Sequence, residues 1–120
     1  MNRRRTNPPF LNGVPELLVL HQLSRRPMHG YELVQAIRAS SDQALEFGEG
    51  CIYPILHRLE ADQLLSARRE LVSGRSRVIY QVTDKGRKQF AESVTYWKQV
   101  VRAVYHVLRG GADEGQPALA

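Results

Sequence analysis

The feature that most limits how this chain can fold is a change of hydrophobic period. Up to about residue 62 apolar residues recur every three or four positions, beyond it they alternate, and after residue 83 the helical spacing returns. The first helical segment, about 14–25, carries Leu17, Leu18, Leu20 and Leu23, with Pro15 where a first-turn proline is tolerated and Pro27 closing it. A second, about 29–39, carries Leu33, Val34 and Ile37. "SSDQALEFGEG" reads as a loop anchored by Leu45 and Phe47, and a third helix is expected over about 50–62.

The alternating stretch is then a hairpin. "LLSARRELV" and "RVIYQVT" flank the turn residues "SGRS", with Val78, Tyr80 and Val82 on one face and Arg77, Ile79 and Gln81 on the other. Thr83 and Asp84 suit the cap of a fourth helix running to about residue 109, with Gly110 and Gly111 just beyond it. Three helices followed by a two-stranded ribbon is the order of a winged helix-turn-helix. The expected fold class is mainly α (α+β): a mobile basic arm over 1–12, a winged helix-turn-helix DNA-binding domain over 13–83, a dimerisation helix over 84–109 and a disordered tail over 110–120.

Composition narrows the use of such a fold. The chain has 120 residues, enough for one small domain, and a net charge of +5. No apolar run approaches the ~18 residues that span a bilayer. The basic N-terminus lacks the features of a secretory leader, and the single Cys51 suits a reducing compartment, so a cytoplasmic protein is expected, with no membrane partner. The positive excess falls in the middle: residues 51–88 carry eight Lys or Arg against four Asp or Glu, and Arg3, Arg4 and Arg5 form a second cluster. A localised basic stretch points to a polyanion, although a solvated basic face accounts for charge alone equally well.

The third helix has the outer face of a groove reader. Ile52, Ile55, Leu56 and Leu59 converge toward the core. The opposite side offers Gly50, Pro54, His57 and Ala61, flanked by Tyr53 and Arg58. Small residues let the backbone approach bases, while Tyr53, His57 and Arg58 reach base edges or phosphates. Pro54 is expected to cost little near the first turn, where amides lack helical partners and can meet a phosphate. Cys51 and His57 point to different sides and no second ligand pair lies nearby, so no metal site is expected. A redox role for Cys51 would rest on a thiol pKa lowered by the helix N-terminus.

The ribbon adds Arg68, Arg69, Arg75 and Arg77 on or beside one turn, a phosphate clamp in which Arg75, at the tip, is best placed to enter a minor groove. In the fourth helix Phe90, Val94, Trp97, Val101, Val104 and Leu108 step by four, three, four, three and four, a heptad seam widened by Val100 and Val107. Pairing with a second copy is the reading preferred over docking on the chain's own first helix. Trp97 and Tyr96 could also line an interfacial pocket for a small, flat aromatic effector.

Three motifs, "HGYEL" (29–33), "YPILHRLE" (53–60) and "YQVTDKGR" (80–87), closely resemble the PadR family of bacterial transcriptional regulators in order and spacing. The likeness covers about residues 14–109, and the single C-terminal helix looks like the compact branch of that family. The resemblance implies a dimeric winged-helix repressor on operator DNA, sometimes relieved by phenolic or drug-like ligands, with Tyr31, Tyr53, Pro54 and the wing arginines close to DNA. Two positions depart from the family's pattern. Gln63 stands where glycine is usual, at a spot that often needs a left-handed backbone, and "EGCIYP" replaces a commoner Thr-Leu-Tyr-Pro form.

No enzyme is expected, for lack of a nucleophile–base set, a phosphate loop or a metal cluster, and no cofactor is implied. The serious rival is a winged-helix protein–protein module whose arginines bind an acidic partner. An RNA-binding module would need exposed aromatic pairs for base stacking, and Tyr80 is expected in the core.

Overall fold

A glycine, a proline and a glutamate start the first helix. The computed structural model describes residues 13–110, and α1 is Val14–Arg25, with Gly13 at its N-cap, Pro15 in the first turn and Glu16 near the positive end of the helix dipole. Its inner face buries Val19, Leu20 and Leu23.

The chain then makes a two-residue strand that the sequence pattern does not announce. This is β1, Met28–His29, which pairs antiparallel with Tyr80 and Ile79. The second helix, α2, therefore begins at Gly30 and runs Gly30–Ser40. His29 caps it: its Nδ1 accepts a hydrogen bond from the Glu32 N–H at 3.2 Å. After α2, Asp42 and Gln43 both adopt positive φ, and the Ser41 hydroxyl accepts from the Leu45 N–H at 2.9 Å. Phe47 is buried and Leu45 half-buried, which anchors this loop as expected.

The third helix, α3, is Glu49–Ala61 and buries Ile52, Leu56 and Leu59, with Ile55 half-buried. Because it starts at Glu49, Pro54 stands in the second turn, past the amides that lack helical partners. The proline therefore removes the hydrogen bond that the exposed Gly50 carbonyl would otherwise accept, a larger cost than a first-turn position implies. The helix ends in a Schellman motif: the Leu64 N–H donates to the Leu59 carbonyl and the Gln63 N–H to the Glu60 carbonyl, both at 2.9 Å. Gln63 is the left-handed residue of that motif, at φ 64°.

The ribbon follows as β2, Leu65–Val72, and β3, Arg75–Val82, joined by Ser73 and Gly74, both at positive φ. A two-residue loop with both φ positive matches the twist of a tight hairpin. The sheet order is β1-β3-β2, so β2 is an edge. Ile79 is buried although its strand neighbours Arg77 and Gln81 are not, because β1 lies beside it through His29.

The fourth helix, α4, is Asp84–Leu108. Thr83 links its start to the end of α3, accepting from the Gly86 N–H at 3.0 Å and donating to the Gln63 carbonyl at 2.8 Å. Gly86 is buried, and a Cβ there would collide with the Leu64 carbonyl. The described residues are those expected of a winged helix-turn-helix with a long C-terminal helix.

The chain forms two compact units divided after Phe90. In the first, Leu20, Leu33, Ile52, Leu56, Leu59, Leu65, Tyr80 and Val82 belong to one core, and Phe90 packs against it. Phe90, the first residue of the expected seam, also has its ring 5.7 Å from that of His21 on α1. In the second unit the described residues form the helix alone, and Trp97, Val104, Val107 and Leu108 are exposed. The expected arm over 1–12 and the expected tail over 110–120, apart from Gly110, lie outside the described residues.

Candidate nucleic-acid interface

The solvent face of α3 is built largely as its sequence pattern suggests. Gly50, Pro54, His57, Arg58 and Ala61 are exposed. Tyr53 differs: it is half-buried, and its ring lies where a Cβ at Gly30 would stand, 2.5 Å from the nearest ring atoms. Tyr53 therefore fixes how closely α2 and α3 approach, and only a glycine at position 30 leaves room for it. Its other neighbour is His57, at a ring-centroid distance of 6.2 Å. Tyr31, in the first turn of α2, is 49% exposed.

Arg58 is not idle in the unbound chain. Its guanidinium pairs with the carboxylate of Glu16 on α1. Arg68 is likewise held by Glu70 at 2.6 Å and by the Gln81 side chain at 3.1 Å, and Arg26 by Glu32 at 2.7 Å. Such exposed pairs are worth only about 0–1 kcal/mol, so a phosphate can displace the carboxylate.

The ladder divides the four wing arginines between two faces. Cross-strand pairs put Arg69 with Val78 and Leu71 with Ser76 on one face. Arg68 with Ile79, Glu70 with Arg77, and Val72 with Arg75 lie on the other. The expected single clamp is thus three arginines on one face and one on the other. Arg69 donates to the Ser76 hydroxyl at 3.2 Å, and Arg75, beside the turn, is exposed and forms no ion pair among the described residues. Arg77 is half-buried, with its Nε enclosed and lacking a hydrogen-bond partner among the described residues.

Two further features bear on the expected roles of Cys51 and of Trp97 with Tyr96. Burial pushes the Cys51 thiol up from its ordinary value, the reverse of the lowering on which a redox role would rest. On α4, Trp97 lines a groove of about 430 Å³ with Lys98, Val101, Arg102, Tyr105 and Arg109. Tyr96 is 68% exposed and is not part of that groove, where Tyr105 stands as the second aromatic ring.

The capping role of His29, the ion pair between Glu16 and Arg58, and the exposed Leu71 were not foreseen. Only Leu71 has a signal in the pattern, since it shares the parity of Leu65 along β2.

Three helices, a three-stranded sheet and an arginine-bearing ribbon define a winged helix-turn-helix protein. Residues 19–92 match the Transcriptional regulator PadR-like family, and the chain belongs to that family of DNA-binding transcriptional regulators. It is 34% identical over 95 residues to a transcriptional regulator of Mycobacterium tuberculosis, covering 79% of this chain and 86% of that one. The crystal structure of a PadR-like transcriptional regulator from Bacillus cereus superposes with a TM-score of 0.73 at 32% identity, covering 86% of this chain and 99% of the other. A padR family transcriptional regulator from Eggerthella lenta gives a TM-score of 0.74 at 28% identity, covering 86% and 88%. Among the described residues, no helix is long and apolar enough to cross a membrane.

Proposed function

We propose that the chain is a cytoplasmic, homodimeric repressor that binds an inverted-repeat operator in double-stranded DNA. In this reading α3 lies in the major groove, with Gly50, Pro54 and Ala61 against the bases and His57 reaching a base edge. Tyr31 and Arg58 contact phosphate, the latter after leaving Glu16, and Arg68, Arg69, Arg75 and Arg77 hold the backbone on both sides of the ribbon. Tyr53 acts mainly by setting the angle between α2 and α3. The winged helix-turn-helix domain and the dimerisation helix keep the bounds 13–83 and 84–109.

The observation that carries this reading is the exposed, small-residue face of α3 beside an arginine-rich ribbon in a chain of the PadR-like family. Dimerisation through Val94, Trp97, Val101, Val104 and Leu108 is supported by the exposure of three of them: Trp97 is 40%, Val104 49% and Leu108 74% exposed on a helix of 25 residues, with Val94 and Val101 half-buried. Phe90 joins this seam only at its edge, because it already packs on α1. In the same reading a small aromatic effector would sit at the dimer seam, and the groove lined by Trp97 and Tyr105 supports this.

Two substitutions separate positioning from reading. Arg75→Ala is expected to weaken all duplexes alike and to lower the salt slope by about 1. His57→Ala is expected to flatten sequence preference, costing about 1–3 kcal/mol on the best site and little elsewhere. Fluorescence anisotropy with matched and scrambled duplexes reads both. If neither change alters duplex binding, the DNA-reading assignment fails and the protein–protein alternative replaces it.

A further inference from the structure

The wing carries one side chain for which the fold has no use. Leu71 is 78% exposed on the edge strand β2, one residue before its end. The ladder fixes its face: Leu65, Ala67, Arg69 and Leu71 alternate along β2 opposite Val82, Tyr80, Val78 and Ser76. At the base of the ribbon this face is core, where Leu65, Tyr80 and Val82 are buried with Ile52, Leu56 and Leu59 of α3. Farther out the same face meets solvent at Arg69, Leu71 and Ser76. Leu71 therefore overhangs on the side of the sheet that packs against α3.

We propose that Leu71 is an apolar contact in the minor groove of duplex DNA beside the major-groove site of α3, and that it sets the base preference of that flank. The inference rests on the DNA-binding reading above and adds to it a residue and a base preference. Charge identifies the occupant: Arg68, Arg69, Arg75 and Arg77 share the ribbon with one acid, Glu70, which favours a polyanion and opposes the edge strand of a second copy. Size identifies the groove. Paired strands lie about 4.8 Å apart before side chains are added, and a minor groove is about 6 Å wide, so a single side chain enters rather than the ribbon. Leu71 lays its apolar surface on the deoxyribose walls while Arg69 and Arg75, on opposite faces, reach the phosphates. A leucine cannot accept from the guanine amino group that projects into the minor groove, so A·T pairs are favoured there.

The test is fluorescence anisotropy of the full chain on a duplex recovered from a random pool, with A·T flanks. A second duplex replaces the flanking adenines by diaminopurine, which adds an amino group in the minor groove alone. Leu71→Ser is expected to bind the first duplex about tenfold more weakly, with an unchanged salt slope. It should be indifferent to diaminopurine, which weakens the wild type by a similar factor. Leu71→Met should retain most of the affinity, and equal thermal midpoints would show that all three chains are folded. Wild-type affinity and wild-type sensitivity to diaminopurine in Leu71→Ser would overturn the proposal. The DNA reading would still stand if Arg75→Ala and His57→Ala behaved as above. If Leu71→Ser loses binding to phosphatidylglycerol vesicles and not to duplex, the residue is a lipid contact and the proposal is wrong. If the wild type enriches no duplex at all, the underlying reading fails with it.

Discussion

The winged unit and the distal part of α4 spend their apolar residues in opposite ways. In the first, Leu20, Leu33, Ile52 and Leu56 are closed off from solvent within one core. In the second, Tyr96, Val104, Val107 and Leu108 keep between 49% and 74% of their surface exposed on a single helix. Among the described residues of the first unit, every large apolar side chain is buried or half-buried except Tyr31 and Leu71. Among the described residues of the second the pattern has no counterpart, and the proposed dimer would supply the second helix that a heptad seam needs. One region is thus specified by its own sequence, and the other, in the dimer proposed above, by what it meets.

The sharpest way to break this contrast is to truncate one member of each region. Leu56→Ala removes a fully buried side chain and should cost about 2–5 kcal/mol. In thermal melts that loss should appear at every protein concentration. Val104→Glu should leave a folded chain, because residue 104 is already half exposed. It should abolish the dependence of sedimentation on concentration and lower affinity for a two-half-site duplex by about a hundredfold or more, as avidity is lost. If Leu56→Ala and Val104→Glu had the same signature, the division between the two regions would collapse.

The smallest expected effect tests a detail inside the winged unit. Gln63 holds a left-handed conformation that costs an L-residue about 1–2 kcal/mol. Glycine recovers part of that, offset by its greater freedom in the unfolded chain. Gln63→Gly should therefore raise stability by about 0.5–1 kcal/mol in denaturant melts, without altering DNA affinity. A loss of stability would mean that the Gln63 side chain does more than fill the position.

The sequence carried the fold further than the site. Period alone locates the four helices and the ribbon, since Leu, Ile and Val at helical spacing give way to alternation at Leu65 and return after Thr83. It cannot show β1, because two residues make no period and Met28 and His29 become a strand only when Tyr80 and Ile79 arrive beside them. The left-handed turn at Gln63 was suggested only by the family resemblance, which has glycine there, and the chain makes it with glutamine. At the interface, the small residues of α3 were legible as a face. The engagement of Arg58 was not, since Glu16 lies 42 residues away in the chain. The division of the wing arginines follows from the two-residue turn, which fixes register and so decides which face each one takes.

The distal helix and the reading helix meet in one claim, that two copies of α3 read DNA together. Selecting bound fragments from a random duplex pool with the wild-type chain tests it directly. The account predicts an inverted repeat whose half-sites are spaced by one helical turn or a multiple of it. A single unrepeated half-site would contradict the dimer, and no enrichment over the starting pool would contradict sequence-specific DNA reading itself.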